Sequence, residues 1–327
     1  MKAIFQEAYG SADVLQFKTV EKPTVKDDEV LVRVSAAGVD RGVWHLMTGK
    51  PYVARLVFGI FAPKNPIPGM DVAGRVEAVG KKVTRFREGD EVFGTCEGSF
   101  AEYACAKEDK LCPKPARLSF EQAAAVPISA CTALTAVRDI AKIELGHRVL
   151  IVGASGGVGT YCVQLAKAFG GLVTGVCSRS KQDLVLAMGA DCVIDYSRHD
   201  MSQFSNSYDV ILDIGGNRSL ATLRRLLASD GTLVIIGGEG GESWFGMGRQ
   251  LQALLLSPFT RQKLRSCISL ASREELQGVS ELIDAGKLKP AIDKMYPLEE
   301  APEAIRYLER GEARGKVVIA VAGGLVA

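Results

Sequence analysis

The sequence predicts a two-module α/β fold, an antiparallel β module followed by a doubly wound parallel sheet. Three observations lead there. The 327 residues exceed one ordinary domain and favour two. The first third consists of short β-leaning stretches punctuated by turn formers. From about Ala123 the texture changes to apolar strands alternating with helix-period segments, which is the pattern of a parallel sheet covered on both faces.

In the first module Val30 to Val34, Val72 to Val79, Glu91 to Phe93 and Phe100 to Cys105 read as strands. Gly38, Gly80, Lys81, Gly89, Asp90 and Gly98 separate them at the close intervals of a small antiparallel barrel with few helices. The stretch Val53 to Phe61 is unusually apolar for a loop, and three readings compete: the wall or lid of an apolar pocket, a partner or membrane contact, or a core helix. The second module opens with an Ala-rich helix, Glu121 to Ala141. It continues with strand Arg148 to Val152, helix Thr160 to Phe169, strand Leu172 to Cys177, helix Gln182 to Met188 and strand Cys192 to Asp195. Strand Val210 to Asp213, helix Ser219 to Ala228 and strand Gly231 to Gly237 complete it. Helices at Glu274 to Ala285 and Ala301 to Glu309 and a strand at Lys316 to Val321 follow.

Composition narrows the function. With 47% hydrophobic and 24% charged residues the chain buries a sizeable core, which excludes disordered and collagen-like classes. Lys plus Arg is 40 against Asp plus Glu 38, a balance that argues against nucleic acid or an anionic membrane as partner. A charge inside Met1 to Glu7 speaks against a secretory signal, and no apolar run reaches the ~18 residues of a membrane span. The expectation is therefore a cytoplasmic protein. The 8 cysteines are scattered without a CxxC, and the three histidines, His45, His147 and His199, form no cluster, so buried thiols and no metal site are expected.

The strongest chemical signal is Gly153-Ala-Ser-Gly-Gly-Val-Gly159, between the strand ending at Val152 and a helix. Gly153 permits the tight turn, Gly156 and Gly157 let backbone amides approach a pyrophosphate, and Gly159 lets helix and strand pack closely. The helix amino end adds free N–H groups and positive dipole. Within a strand–loop–helix–strand unit this reads as a dinucleotide site. An NAD site places an acid about 20 residues further on, to hold the ribose 2′-hydroxyl. Here that stretch is Val176-Cys-Ser-Arg-Ser-Lys181, without an acid. Ser178, Arg179 and Lys181 are donors suited to a 2′-phosphate, so the expected coenzyme is NADPH; the alternative is a solvated basic loop.

Several motifs along the chain add to this: Ala37-Gly-Val-Asp40, Pro68-Gly-Met-Asp-Val-Ala-Gly74, Gly89-Asp-Glu-Val-Phe-Gly94, Phe100-Ala-Glu-Tyr103, Ala123-Ala-Ala-Val-Pro127, Gly189-Ala-Asp191 with Ile194-Asp-Tyr196, and Ala313-Arg-Gly-Lys-Val-Val318. With the glycine loop they resemble the medium-chain dehydrogenase/reductase superfamily, and more specifically its zinc-free quinone oxidoreductase branch. The resemblance implies a GroES-like β-barrel catalytic domain formed by residues 1–124 and 268–327, with a Rossmann-type nucleotide-binding domain, 125–267, inserted and the active site in the cleft between them. It also implies that Ser155, Gly157 and Val158 line the pyrophosphate with Gly156, and that Ser178 and Tyr196 meet the adenosine ribose phosphate, with Lys316 approaching the same end. Asn217 and Gly237 fall at strand carboxyl ends where such sheets bind ligands, although Asn217 equally suits a helix cap.

Zinc-dependent relatives carry Cys at the position of Asp40 and His at that of Met70. Without those ligands, reduction of a quinone or an α,β-unsaturated carbonyl is the more natural chemistry. Metal-free carbonyl or alcohol oxidoreduction, or nucleotide binding without turnover, are the rival readings. Tyr52 matches a tyrosine near the nicotinamide, as hydrogen-bond donor to the acceptor or as a packing residue. Asp40, where such relatives usually have Asn, either donates a proton when held neutral or pairs with Arg33 or Arg41. Leu264 to Leu270 resembles the edge strand through which relatives form homodimers. The expected partners are thus a second copy and a small apolar, electron-poor substrate.

Overall fold

The computed structural model describes residues 1–198, 207–237, 248–269 and 271–321. The chain divides into two compact units, one of Met1–Cys131, Ala271–Asp284 and Pro290–Ala327 and the other of Thr132–Leu270 and Ala285–Lys289. In the first unit β1 (Lys2–Phe5) and β2 (Gln16–Thr19) form an antiparallel pair. β3 (Glu29–Val39) continues five residues past the predicted Val34. Ser35 to Gly38 has weak β propensity, but register with β4 (Asp71–Val79) holds it extended, so pairing overrides propensity. Gly38 also needs its small size, because a Cβ there would lie 2.4 Å from the Ala124 carbonyl oxygen. β5 (Glu91–Thr95), β6 (Tyr103–Lys107) and β7 (Leu111–Pro113) complete this stretch. Val30, Val32 and Val34 alternate into a core with Val72, Val76 and Val92.

Between β3 and β4 the chain forms α1 (Arg41–Thr48), which the strand-rich pattern had hidden, and a single turn, α2 (Arg55–Phe58). The expected helix Glu121 to Ala141 is broken. α3 (Phe120–Ala124) starts at a Ser119–Gln122 capping box, and α4 (Pro127–Leu134) restarts at a proline, whose missing N–H is harmless only in a first turn.

The second unit runs β8 (Arg148–Val152), α5 (Gly157–Ala168), β9 (Leu172–Cys177), α6 (Gln182–Ala187), β10 (Cys192–Asp195), β11 (Tyr208–Asp213), α7 (Leu220–Leu226), β12 (Leu227–Ile235), α8 (Gly248–Leu256) and β13 (Lys263–Ser266). Its strands lie parallel in the order β10-β9-β8-β11-β12-β13. β13 is an edge strand, as the resemblance implied for Leu264; Leu270 falls outside the described residues. The chain then adds α9 (Arg273–Asp284), β14 (Ile292–Pro297), α10 (Ala301–Glu309) and β15 (Lys316–Ala320). β15 pairs antiparallel with β3 and parallel with β14, so the C-terminal strands extend the sheet of the first unit. The fold is thus the predicted α/β combination of a GroES-like barrel and a doubly wound Rossmann-type sheet. No helix among the described residues is long and apolar enough to cross a membrane.

Candidate functional site

In the second unit the strand order reverses between β8 and β11, and ligands of open parallel sheets bind outside the strand carboxyl ends at such a switch point. The glycine loop leaves β8 there. Gly153 has φ +85°, and its N–H and that of Ala154 both donate to the Val176 carbonyl at 3.1 Å, which ties the loop to β9. Gly159 is dictated by packing: a Cβ would sit 2.1 Å from the Gly153 oxygen. Gly156 is different. It occupies the N-cap of α5 at φ −84°, offers no side-chain cap, and a Cβ there would meet only the Gly153 oxygen at an ordinary 3.6 Å. The chain's own packing does not require glycine at this position, and glycine there leaves the backbone open to the approach of a ligand. The first-turn amides of Gly157, Val158 and Gly159 have no intrahelical acceptors, and Ser155, just before the N-cap, is buried. This cradle fits a dinucleotide pyrophosphate.

At the end of β9 the chain turns through Ser178, Arg179, Ser180 and Lys181. Ser178 and Ser180 hydroxyls lie 3.4 Å apart, and Arg179 is exposed. Tyr196, just beyond β10, is 48% exposed, so it is no core tyrosine. Asp195 at the end of β10 is buried and accepts from the N–H and hydroxyl of Ser197 at 2.9 and 2.7 Å. Asn217 is exposed and is not a helix cap, because Ser219 caps α7 through the Thr222 N–H. Gly237 has a packing reason, since a Cβ would stand 2.0 Å from the Ile214 oxygen. Its position still keeps the β11 and β12 ends close together. Asp213, overlooked in the sequence, is fully buried at the β11 end, bonded to Arg249 and to the Gly216 N–H; desolvation raises its pKa against the pull of Arg249.

In the first unit Asp40 begins α1. Its Oδ1 accepts the Val43 N–H at 3.1 Å, while its Oδ2 is buried without a hydrogen-bond partner. Its observed role is therefore a helix cap. Met70 is its neighbour across Gly42: a Cβ on Gly42 would lie 2.9 Å from Asp40 Oδ1 and 3.4 Å from Met70 Sδ. Zinc does not fit these residues, because one carboxylate beside a thioether, with no cysteine or histidine ligand joined to them, is a poor donor set for that ion. Among the described residues no group of three or more His, Cys, Asp or Glu is arranged to hold a metal. His45 donates from Nδ1 to the Lys50 carbonyl oxygen, 2.8 Å away. Tyr52 lies in a short turn with the Arg55 guanidinium 4.8 Å from its ring centre, and Arg55 is itself anchored on the Gly49 and Thr48 carbonyls.

Lys316 corrects an expectation. It is 1% exposed, inside the first unit, with its ammonium 3.2 Å from Asp71 Oδ2 and 3.1 Å from Ser129 Oγ. Asp71 Oδ1 accepts the Ile128 N–H at 2.9 Å. The lysine neutralises a buried carboxylate and is not free to receive a phosphate. Burial pushes the Asp71 carboxyl up, with Lys316 opposing and Asp40 reinforcing the shift.

The apolar stretch around α2 is not a core helix. Leu56, Val57, Phe58, Ile60 and Phe61 are all exposed, yet Val57 and Phe58 also line a cavity of about 300 Å³ within the first unit. Phe58, Leu46 and Met70 separate it from a second of about 210 Å³ lined by His45, Lys50 and Arg55.

Residues 26–116 match the model of an alcohol dehydrogenase GroES-like domain and residues 188–319 that of a zinc-binding dehydrogenase. A 2-methylene-furan-3-one reductase of Solanum lycopersicum is 32% identical, over 98% of this chain and 79% of its own length. The quinone oxidoreductase of Sus scrofa is 33% identical over 98% and 97%. Among solved structures, mycobacterial Rv1454c complexed with NADPH superposes with a TM-score of 0.84 at 25% identity, covering 98% of this chain and 99% of that one.

Proposed function

The chain belongs to the medium-chain dehydrogenase/reductase superfamily, in its quinone oxidoreductase branch, and we propose that it is an NADPH-dependent, zinc-independent reductase of quinones or α,β-unsaturated carbonyl compounds. The observation that carries the reading is the Gly156 cradle at the switch point, with a donor-rich, acid-free turn at the end of the neighbouring β9. When bound, a reduced nicotinamide supplies the hydride.

The protein's residues do the rest. Ser155 to Val158 hold the pyrophosphate, with Asn217 and Gly237 at the adjoining strand ends. Ser178, Arg179, Lys181 and Tyr196 select the 2′-phosphate by charge and hydrogen bonds. Tyr52, its ring steadied by Arg55, donates a hydrogen bond to the acceptor's carbonyl oxygen as negative charge develops there. Asp40 fixes the start of α1 and so the floor beside Met70. An enone reductase among its relatives, a quinone oxidoreductase among others, and an NADPH complex in the same fold support this reading over a non-enzymatic nucleotide binder. The open edge of β13 supports a homodimer, which sedimentation would reveal as twice the chain mass.

Arg179→Glu tests the coenzyme assignment. NADPH affinity is expected to fall about ten- to a hundredfold, the worth of one charge-assisted bond and its reversal, while NADH affinity changes little. Equal losses for both coenzymes would remove the 2′-phosphate argument.

A further inference from the structure

Leu56, Val57, Phe58, Ile60 and Phe61 are exposed together, and Phe61 at the tip of the stretch is 91% exposed. Three hydrogen bonds hold this segment in place. The Gly59 N–H donates to the Arg55 carbonyl at 2.9 Å, the Lys64 N–H to the Phe58 carbonyl at 2.8 Å, and the Tyr9 hydroxyl to the Gly59 carbonyl at 2.6 Å. Gly59, at φ +125°, makes the turn tight, since a Cβ there would stand 2.0 Å from the Ala62 oxygen. A preformed turn thus presents the apolar side chains.

The charge around that turn is one-sided. From Arg41 to Met70 the chain carries Arg41, Lys50, Arg55 and Lys64 and no Asp or Glu, whereas the whole sequence has 40 Lys and Arg against 38 Asp and Glu. Lys50 and Arg55 line the cavity of about 210 Å³ with Phe58, and Lys64 lines that of about 300 Å³ with Val57 and Phe58, so three cations flank the patch. Arg55 is bonded to the neutral Gly49 and Thr48 carbonyls, which leaves its charge in place. Glu97, which also lines the larger cavity, offsets one of the three. The near-balance of the whole chain therefore conceals a local excess of cations, and at this face it no longer argues against an anionic surface.

We propose that this turn docks on the surface of an anionic phospholipid bilayer, with Ile60 and Phe61 entering the interface and Lys50, Arg55 and Lys64 meeting the headgroups. The segment lies on the membrane and does not span it. A second copy fits less well, because a symmetric contact through this face would bring the same cations together. A partner protein would need a complementary pocket for Phe61, whereas a bilayer interface accepts a projecting aromatic tip without one. The apolar tip and the cations each hold weakly alone, so binding is reversible and needs both.

Flotation of the full chain with lipid vesicles tests this. Phosphatidylcholine vesicles containing phosphatidylserine should bind it at low salt, pure phosphatidylcholine vesicles about tenfold more weakly, and added salt should loosen the anionic complex. Ile60→Ser combined with Phe61→Ser should weaken binding to the anionic vesicles about tenfold or more, since two apolar side chains no longer leave water. Lys64→Glu should weaken it about twentyfold, from the lost cation and the repulsion introduced, without changing binding to the neutral vesicles. All three positions are exposed, so the melting temperatures should match the wild type. Absence of the chain from floated anionic vesicles, equal flotation with both lipids, or wild-type flotation by the Ile60 and Phe61 double variant overturns the proposal. So does loss of a dimer by that variant in sedimentation, which would assign the face to a second copy.

Discussion

Gly156 and Gly159 occupy the same loop for opposite reasons, and alanine at each should separate them. At Gly156 the backbone has φ −84° and ψ 177°, open to any residue, and the added methyl would touch only the Gly153 oxygen at 3.6 Å. Alanine caps a helix less well than glycine, but it also restricts the unfolded chain. The two effects offset to within about 1 kcal/mol, so the melting temperature should stay within a few degrees. The methyl nevertheless stands where the pyrophosphate must approach. Losing one or two amide–phosphate bonds of about 1.5 kcal/mol or more each should raise the Kd for NADPH ten- to a hundredfold. At Gly159 the methyl would lie 2.1 Å from the Gly153 oxygen and 2.8 to 2.9 Å from backbone atoms of Ala154, so the loop itself has to move. Overpacking of that kind costs about 1 to 3 kcal/mol, visible as a lower melting temperature even without coenzyme. Fluorescence titration and thermal unfolding of both variants make the test. Wild-type NADPH affinity in Gly156→Ala would refute the cradle.

Replacing Tyr52 with Phe should lower kcat for enone reduction by about a hundredfold, with NADPH affinity unchanged; an unaltered kcat would make Tyr52 a packing residue. Lys316→Met should destabilise the protein through Asp71. This carboxyl is raised to about 7 in the folded chain from 3.8, so its favourable contribution is present at low pH and is lost as pH rises toward and through 7. Removing the buried cation raises the carboxyl further, so the loss relative to wild type should be about 3 to 5 kcal/mol at pH 8 and much smaller at pH 5 in denaturant unfolding. A loss independent of pH would mean that the pair is not coupled in this way, and adding Asp71→Asn should restore part of the stability at pH 8.

Most of the parallel sheet was legible because its first strands are specified locally, whereas α8 was not read from the sequence and β13 only through the resemblance. Arg148 to Val152, ending at Gly153, and Leu172 to Cys177, starting after Gly171, are apolar runs, and their limits agree with the structure to the residue. The first unit was harder. β3 runs through Ser35-Ala-Ala-Gly38, where only its partners hold it extended, and α1 depends on a cap at Asp40 and a left-handed Gly49 at φ +63°. Those two signals are in the sequence, but Val43, Met47 and Thr48 give too short a buried stripe to announce a helix amid strands. The break at Pro127 was readable from its residue type alone.

The candidate site divides in the same way. The coenzyme loop is contiguous, so spacing and residue type suffice to propose it. The Asp71–Lys316 pair joins residues 245 positions apart. Motif position placed Lys316 beside a phosphate; what overrides that is β15 having a strand on each side. A lysine within Lys316-Val-Val-Ile-Ala320 sits on an interior strand, and a cation there must find a buried acid. Asp71 opens the equally apolar Asp71-Val-Ala-Gly74 at the start of another interior strand. Two charges in two apolar strands thus predict each other more securely than either predicts a ligand.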